Sequence, residues 1–276
     1  MIVTVLGIFN YKSRRDRLAA IGASFKETVD ALSSDSEVKC MANAVLLRRF
    51  FDPMSEQGVG LRRRTPYRKE TIEVIASMLR KEQPAEIRKA LANGLRYAVD
   101  LRASDLAECD LSGSYLGQKG GDPRSADLSN ADLWGATCVG TSFRKVTAVE
   151  TVFQAADLRK AVFIGANCLR ANFREADCRG AKFRNADLGS ADFAGATLAR
   201  SESDDVSLKG ADFSDANVQG ATFDGVDLDG VVFTGARLGG ARFVGALSIP
   251  EEVRRHVVDG VALSGAVAGE AASEAN

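Results

Sequence analysis

From Ser125 to Gly245 the chain repeats a five-residue unit made of a small residue, a polar one, an apolar centre and two turn-formers, as in ADLSN, ADLWG and ARFVG. The centres run Leu128, Leu133, Cys138, Phe143, Ala148, Phe153 and onward to Leu238 and Phe243, and alanine usually stands two residues before each, from Ala126 to Ala241. A period of five fits neither a helix, at 3.6, nor a continuous strand, at 2. Within a unit the small residue and the centre are two apart, so both point to one side of an extended piece. The following Gly, Asn, Asp and Ser residues have the chemistry of a turn. A chain that turns the same way after every third residue winds into a solenoid with those side chains inside. Phenylalanine falls on alternate units, from Phe143 to Phe193 and again from Phe213 to Phe243, which requires an even number of sides per coil.

This A(D/N)LxG unit with a Leu or Phe centre, sustained over about two dozen consecutive repeats, resembles the pentapeptide-repeat family. The resemblance implies a right-handed quadrilateral β-helix with four units per coil and two Phe columns facing each other. About seven coils at ~4.8 Å make a rod of roughly 35 Å. The beat starts at Leu101, and Leu101, Leu106, Leu111 and Leu116 form the expected first coil. Leu116 to Leu128 spans twelve residues where two beats span ten, so the Gly- and Pro-rich insert 117–125 is expected to bulge from a corner. Beyond the array, Ser248 and Glu251 read as a capping box opening a capping helix over 248–258. The Ala-, Gly- and Ser-rich tail, 259–276, is expected to be disordered. Ser203 interrupts a Phe column and is read as a tolerated irregularity.

Upstream, residues 11–99 carry helical periodicity: Leu18, Ile21, Phe25, Val29 and Leu32, then Val38, Ala42, Val45, Leu46 and Phe50, which Pro53 ends. Thr65 and Pro66 start the next helix, with Ile72, Ile75, Met78 and Leu79 as its apolar face, and Pro84 opens the last, carrying Ile87, Leu91 and Leu95. About four helices in antiparallel pairs are expected, with loops at 56–64 and 82–84, the last helix capping an end that would otherwise invite edge pairing. The expected fold class is therefore α+β multidomain, comprising an apolar segment 1–10, an α-helical domain 11–99 and a β-helix 100–247 followed by the capping helix.

The 276 residues suit two domains, and 36 basic against 37 acidic residues give no whole-molecule pull toward nucleic acid or membrane. Cys138, Cys168 and Cys178 sit on centres, Cys109 on a small-residue position and Cys40 in a helical segment. All five are expected to be inert buried thiols, which suits a cytoplasmic setting. The apolar run 1–10 is too short to cross a bilayer, and Lys12, Arg14, Arg15 and Arg17 follow it instead of preceding it, unlike a secretory signal. Packing against the first helix is its expected role. The other reading takes the stretch from Met1 through Arg17 as the end of a membrane span, with the folded part at the cytoplasmic face.

The single histidine, His256, excludes His-based triads and multi-His metal sites. Asp127, Asp132, Asp157, Asp177, Asp187, Asp192 and Asp212 recur with the repeat, as do the corner glycines Gly220 to Gly245, so neither a carboxylate pair nor a phosphate loop stands out. No catalytic, cofactor-binding or metal-binding residue is expected, and the surface is what remains. Outward positions are mostly basic at Arg144, Lys145, Arg159, Lys160, Arg170, Arg174, Arg179, Arg184 and Arg200, and mostly acidic at Glu202, Asp204, Asp205 and Asp224, while Trp134 stands outward near the insert. The expectation is a non-enzymatic protein-interaction or scaffold module binding a protein partner, with Trp134, Arg144, Arg159, Lys160, Arg174, Arg179, Arg184, Asp204, Asp205 and Asp224 as the candidate surface and no direct nucleic-acid binding. Two alternatives stay open. The family resemblance implies a DNA mimic that binds type II topoisomerase, as in quinolone resistance; the N terminus and the basic residues Arg62, Arg63, Arg64, Arg68 and Lys69 suggest a membrane-tethered adaptor.

Overall fold

The computed structural model describes residues 2–51, 66–118, 120, 125–199 and 210–268, with side chains from Arg15 onward. Four helices lead: α1 (Ile2–Leu32), α2 (Glu37–Leu46), α3 (Arg68–Leu79) and α4 (Ala85–Gly94), with 3-10 turns Leu47–Phe50 and Leu95–Ala98 prolonging α2 and α4. Their apolar faces follow the sequence in α1, α3 and α4, where Ile21, Leu32, Ile72, Ile75, Leu79, Ile87, Leu91 and Leu95 are buried. In α2 the expected face is rotated: Val38 is 80% exposed, and the buried line is Cys40, Ala44, Leu47 and Phe50. The side chain of Ser36 caps α2 by accepting from Lys39 N–H. Phe25 stacks on Tyr67 at 4.9 Å and meets Phe50 edge-on at 5.1 Å, which ties α1 to the turn after α2. The apolar segment 1–10 is the start of α1 from Ile2 on, not a separate piece packed against it, because no proline interrupts the run. The expected loop 56–64 lies outside the described residues.

From Asp100 the chain winds into a parallel β-helix. The bridges fall into four columns and recur every twenty residues, as in Thr147 to Asn167 to Asp187, or Ser142 to Val162 to Lys182. We label the four walls face A (Asp127, Thr147), face B (Asp132, Val152), face C (Thr137, Asp157) and face D (Ser142, Val162). Each centre donates its N–H to the next coil, as Phe153 does to Asn172 O at 2.7 Å and Leu158 to Asp177 O at 2.8 Å. Those bonds hold successive coils at strand spacing. At that spacing the Phe rings of face B and of face D stack within each column, with centroids 4.7 to 5.2 Å apart, and meet across the bore edge-on, as Phe163 and Phe173 do at 5.7 Å. Both arrangements suit the ring quadrupole.

Two irregularities differ from the reading of the beat. Asp100 pairs with Asp127 and Asp105 with Asp132, a step of 27 where the coil repeat is twenty, so the first insert removes seven residues and Leu116 and Leu128 are successive centres. Ala126 N–H bonds to Leu116 O at 3.0 Å across it. Lys182 pairs with Asp212 and Asp187 with Asn217, a step of thirty, so a second insert of ten residues leaves the coil after Leu198. Ala211 N–H closes onto Leu198 O at 3.0 Å, and Phe183 stacks on Phe213 at 4.8 Å as though nothing intervened. Ser203 and Leu208, expected as an interruption and a centre, lie outside the described residues.

Both ends of the coil are closed. At the first, Asp110 N–H donates to Leu79 O at the end of α3 (3.0 Å) and Tyr115 N–H to Asn93 Oδ1 on α4 (3.1 Å), while Arg80 and Arg88 donate to Ala107 O and Ser112 O, both at 2.9 Å. α3 and α4 share the task expected of the last helix alone. At the other end the expected capping helix shrinks to one turn, α5 (Glu251–Arg254), whose N-cap is Pro250; Ser248 takes a left-handed backbone and forms no capping box. As far as Ala268 the tail is ordered where disorder was expected: β2 (Val261–Ala262) forms a hairpin with β1 (Val257–Val258), and the chain runs on across the coil to Ala268, while 269–276 lie outside the described residues. The reason is the row of backbone donors on the last coil. Phe233 N–H bonds to Glu252 Oε1 (3.0 Å), Gly235 to Ala268 O (2.9 Å), Leu238 to Ala266 O (2.8 Å), Gly240 to Ala262 O (2.9 Å) and Phe243 to Gly260 O (2.6 Å). Unpaired, each would carry the penalty of a lost hydrogen bond.

Phe173 stacks on both Phe153 and Phe193, so Phe173→Ala opens a cavity in the middle of a column. The expected loss is ~3–5 kcal/mol of unfolding free energy by chemical denaturation. A loss under about 1 kcal/mol would show that the stack is not what holds the rod.

Candidate interaction surface

The coil's hydrogen-bond pattern leaves one backbone donor per unit without a partner, the N–H of the residue after the centre. The outward residue before the centre supplies one when it is Asp or Asn. Asp127 Oδ1 accepts from Ser129 N–H (3.0 Å), Asp132 from Trp134 (2.9 Å), Asp157 from Arg159 (3.2 Å), Asp192 from Ala194 (2.9 Å), and Asn167 and Asn172 act alike. That local bond accounts for the repeated aspartates, as the repeat alone suggested. Many also meet an arginine: Arg159 Nη2 lies 2.6 Å from Asp157, Arg179 Nη2 2.6 Å from Asp177, Arg174 Nη1 3.1 Å from Asp192, and Arg242 Nη2 2.8 Å from Asp224. The acidic columns are thus largely committed within the rod.

Face D departs from this rule. Its outward residues in three successive coils are Ser142, Val162 and Lys182, and an aspartate returns only at Asp212. Basic residues line both edges. Arg159, Lys160 and Arg179 stand at the corner leading into face D, and Arg144, Lys145 and Arg184 at the corner leading out. Arg159 and Arg179 are paired with the face C aspartates, and Arg184 lies 3.8 Å from Asp212. Among the described residues no carboxylate lies within salt-bridge distance of Arg144, Lys145, Lys160 or Lys182.

Of the candidate residues, then, Arg144, Arg159, Lys160, Arg179 and Arg184 come together around one wall. Trp134, Arg174 and Asp224 share a different corner, between faces B and C, where Trp134 is 46% exposed and Asp224 accepts from Arg242 and from Val244 N–H. Asp204 and Asp205, like Glu202 and Arg200, lie in the second insert, outside the described residues. Sequence reasoning missed Lys182 at the centre of face D. Sorting the outward residues on a twenty-residue period would have found it.

Elsewhere the chemistry is structural. A cleft of about 330 Å³ between α3 and the first coil is crossed by ion pairs, Arg68 to Asp100 at 2.7 Å and Arg80 to Asp105 at 2.5 Å. The Asp100 carboxyl is held well below the usual carboxylate range, first by the hydrogen bonds from Arg102 and, against partial desolvation, by those from Arg68. Burial pushes the Cys109 thiol up to about 11 and raises Cys138, Cys168 and Cys178 further; Cys40 is raised by burial and by Glu37. His256 is buried in the C-terminal cap, and among the described residues no three His, Cys, Asp or Glu side chains are grouped to hold a metal.

The family model of pentapeptide repeats matches residues 124–154, 151–189, 186–225 and 211–247. No curated protein matches the chain. Among solved structures the chain is similar to full-length QnrB1, a plasmid-mediated fluoroquinolone resistance protein, at 19% identity over 60% of this chain and 78% of that one, with a TM-score of 0.31. It is also similar to a pentapeptide repeat protein of the Arabidopsis thaliana thylakoid lumen (23% identity, 52% and 82% covered, TM-score 0.28). HetL, a pentapeptide repeat protein involved in heterocyst differentiation regulation in Nostoc sp. strain PCC 7120, shares 26% identity over 54% and 80% of the two chains, with a TM-score of 0.23.

Two outcomes follow. A carboxyl depressed in the folded state contributes stability that is present above its unfolded value, about 4, and is lost as pH falls toward the folded value. Asp100→Asn should therefore lower the melting temperature at pH 7 and flatten its decline under acid, and a decline parallel to the parent's would refute the pairing. A thiol reagent at pH 8 should label no cysteine in the native protein and all five after denaturation; rapid native labelling would mean the bore is open.

Proposed function

We propose, for a chain that belongs to the pentapeptide-repeat family, a non-enzymatic protein-interaction module in which a right-handed, square-sectioned rod presents its walls to a protein partner. The recurrence of bridges in four columns supports the square section. One observation carries the functional reading: face D alone brings Arg144, Lys145, Lys160 and Lys182 together without carboxylate partners, while the charges of the other walls are largely paired. Unpaired surface charge of one sign steers and orients a partner of the other. The helical domain, fixed to the first coil by Arg68, Arg80 and Arg88, sets the direction in which that wall faces. The cytoplasmic setting belongs to the same reading and rests on the five free, buried thiols.

A second reading, a DNA-like rod engaging a type II topoisomerase, draws on the aspartate columns of faces A, B and C and on the name of QnrB1 as a fluoroquinolone resistance protein. Pairing of those aspartates with Asx turns and arginines weighs against it. A third, tethering to a membrane with the rod at its cytoplasmic face, draws on the apolar start of α1 and the basic residues Lys12 to Arg17 that follow it on the same helix. Among the described residues no helix is long and apolar enough to cross a membrane.

Lys160→Glu combined with Lys182→Glu should abolish co-purification of at least one protein that the parent captures, whereas Arg174→Glu should leave capture unchanged. Identical captured sets would sink the face D reading. In a supercoiling assay the purified protein should leave gyrase unaffected, and inhibition at micromolar concentration would favour the topoisomerase reading instead.

A further inference from the structure

The feature that makes face D basic also leaves its backbone incomplete. Where faces A, B and C place Asp or Asn before the centre, the donor after the centre is bonded; where face D places Val162 and Lys182, the N–H groups of Ile164 and Arg184 find no acceptor among the described residues. The N–H of Arg144 belongs to the same column, but Gly117 crosses it so closely that a Cβ there would come within 2.4 Å of that nitrogen. Ile164 and Arg184 are in successive coils, so two open donors stand about one strand spacing, ~4.8 Å, apart. Among the described residues, isolated gaps occur on the other faces, in the units of Thr137, Thr147, Val152, Thr197, Thr222 and Arg237. Only face D repeats the gap in adjacent coils that also carry unpaired cations.

We propose that face D is a docking site for an acidic protein segment whose carboxylates take the place of the missing aspartates, accepting from Ile164 N–H and Arg184 N–H while Arg144, Lys145 and Lys182 neutralise them. The proposal rests on the protein-interaction reading above and names the chemistry of its partner. The rod itself supplies the precedent: Asp157 and Asp177, one wall away, make this bond to Arg159 and Arg179 N–H at 3.2 Å. A carboxylate from outside would meet the same donor from the same side. Lys145 is placed for this, since its side chain lies over Gly165, 3.4 Å from where a Cβ would be. An acidic peptide suits the wall better than a nucleic acid. The basic stretch covers three coils, roughly 10–15 Å, and a longer polyanion would run onto Asp157 and Asp177 on one side and Asp187 on the other.

The test is an amide NMR titration of the full chain with hexa-aspartate, with hexa-asparagine and a short DNA duplex as comparisons. Hexa-aspartate should shift the amide protons of Ile164 and Arg184 downfield and saturate, and hexa-asparagine should not. Val162→Asn closes one donor from inside without changing charge, and Asn is tolerated at the equivalent Asn167 and Asn172; it should weaken hexa-aspartate binding about tenfold. Unmoved amides, undiminished binding by Val162→Asn, or tighter binding of the duplex at the same amides would each overturn the proposal. Its fate separates from that of the interaction module. If face D charge reversal abolishes capture of a cellular protein while hexa-aspartate moves neither amide, the carboxylate ladder is wrong and the module stands; if the amides shift but capture ignores every face, the module fails.

Discussion

The coil-to-coil hydrogen bond is the constraint from which the rest follows. Once each centre's N–H reaches the carbonyl one coil on, successive coils are locked at strand spacing, and every side chain of a column must repeat at that interval whatever its chemistry. Flat rings tolerate it, because offset stacking wants nearly the same distance, so Phe153, Phe173 and Phe193 can succeed one another without adjustment. The other inward position has less room, and alanine fills most of it. Where Thr141 and Thr151 intrude instead, their hydroxyls are absorbed by bonds to Leu111 O and Leu128 O, both from the coil before. A core built this way uses its whole interior for packing.

A coil so constrained is periodic, and periodicity has ends. The first coil has donors facing outward with no earlier coil beneath it, and the last has donors with none above. Helices meet the first need by offering Leu79 O and the Asn93 side chain, with Arg80 at the end of α3 and Arg88 of α4 reaching coil carbonyls and aspartates together. The second need is met by a chain reversed in direction, bridging Arg237 to Val267 and Arg242 to Val261 antiparallel. That reversal ends the template: an antiparallel, glycine-rich cover cannot be extended by another parallel coil, which answers the edge-pairing hazard of an open solenoid. The helical domain is bonded to the rod through backbone and charge alike, so it is a fixed end-piece.

These relations separate what could be read in the sequence from what could not. The Phe columns were legible because a ten-residue alternation survives only if the coil has an even number of sides, and the rings do face one another. The second insert was invisible for a physical reason: ten residues are two whole units, so the beat resumes in phase at Phe213 and Leu208 passes for a centre. The first insert was misjudged because Leu116 and Leu128 are both genuine centres and only the bridges say that no unit lies between them. The tail was misread because composition reports what a segment can bury on its own; residues 260–268 are held by the carbonyls they lend to Phe243, Gly240, Leu238 and Gly235. Val38 misled in α2 because periodicity weighs hydrophobicity, whereas the buried line through Cys40 and Ala44 was chosen by the closeness of neighbouring helices.

The surface follows the same logic one layer out. Basic residues read along the chain look like one long patch, but wrapping on a twenty-residue period deals them to all four corners, and only the subset around Lys182 meets again. What distinguishes that subset is the absence of aspartate more than the presence of lysine. On faces A, B and C the outward carboxylate completes a turn, and several, such as Asp157, Asp177 and Asp192, also hold an arginine from their own or the preceding coil, so much of the acid and base cancels in place. Removing the aspartate has two consequences that cannot be separated: the turn donor is left open, and nearby cations lose their partner. Two successive coils carrying that change, at Val162 and Lys182, therefore convert a self-satisfied wall into one that is electrically and sterically prepared for carboxylates, without altering a single inward residue. The interior column of face D, Phe143, Phe163 and Phe183, is as regular as its opposite number, so the rod gives up no packing to carry this surface.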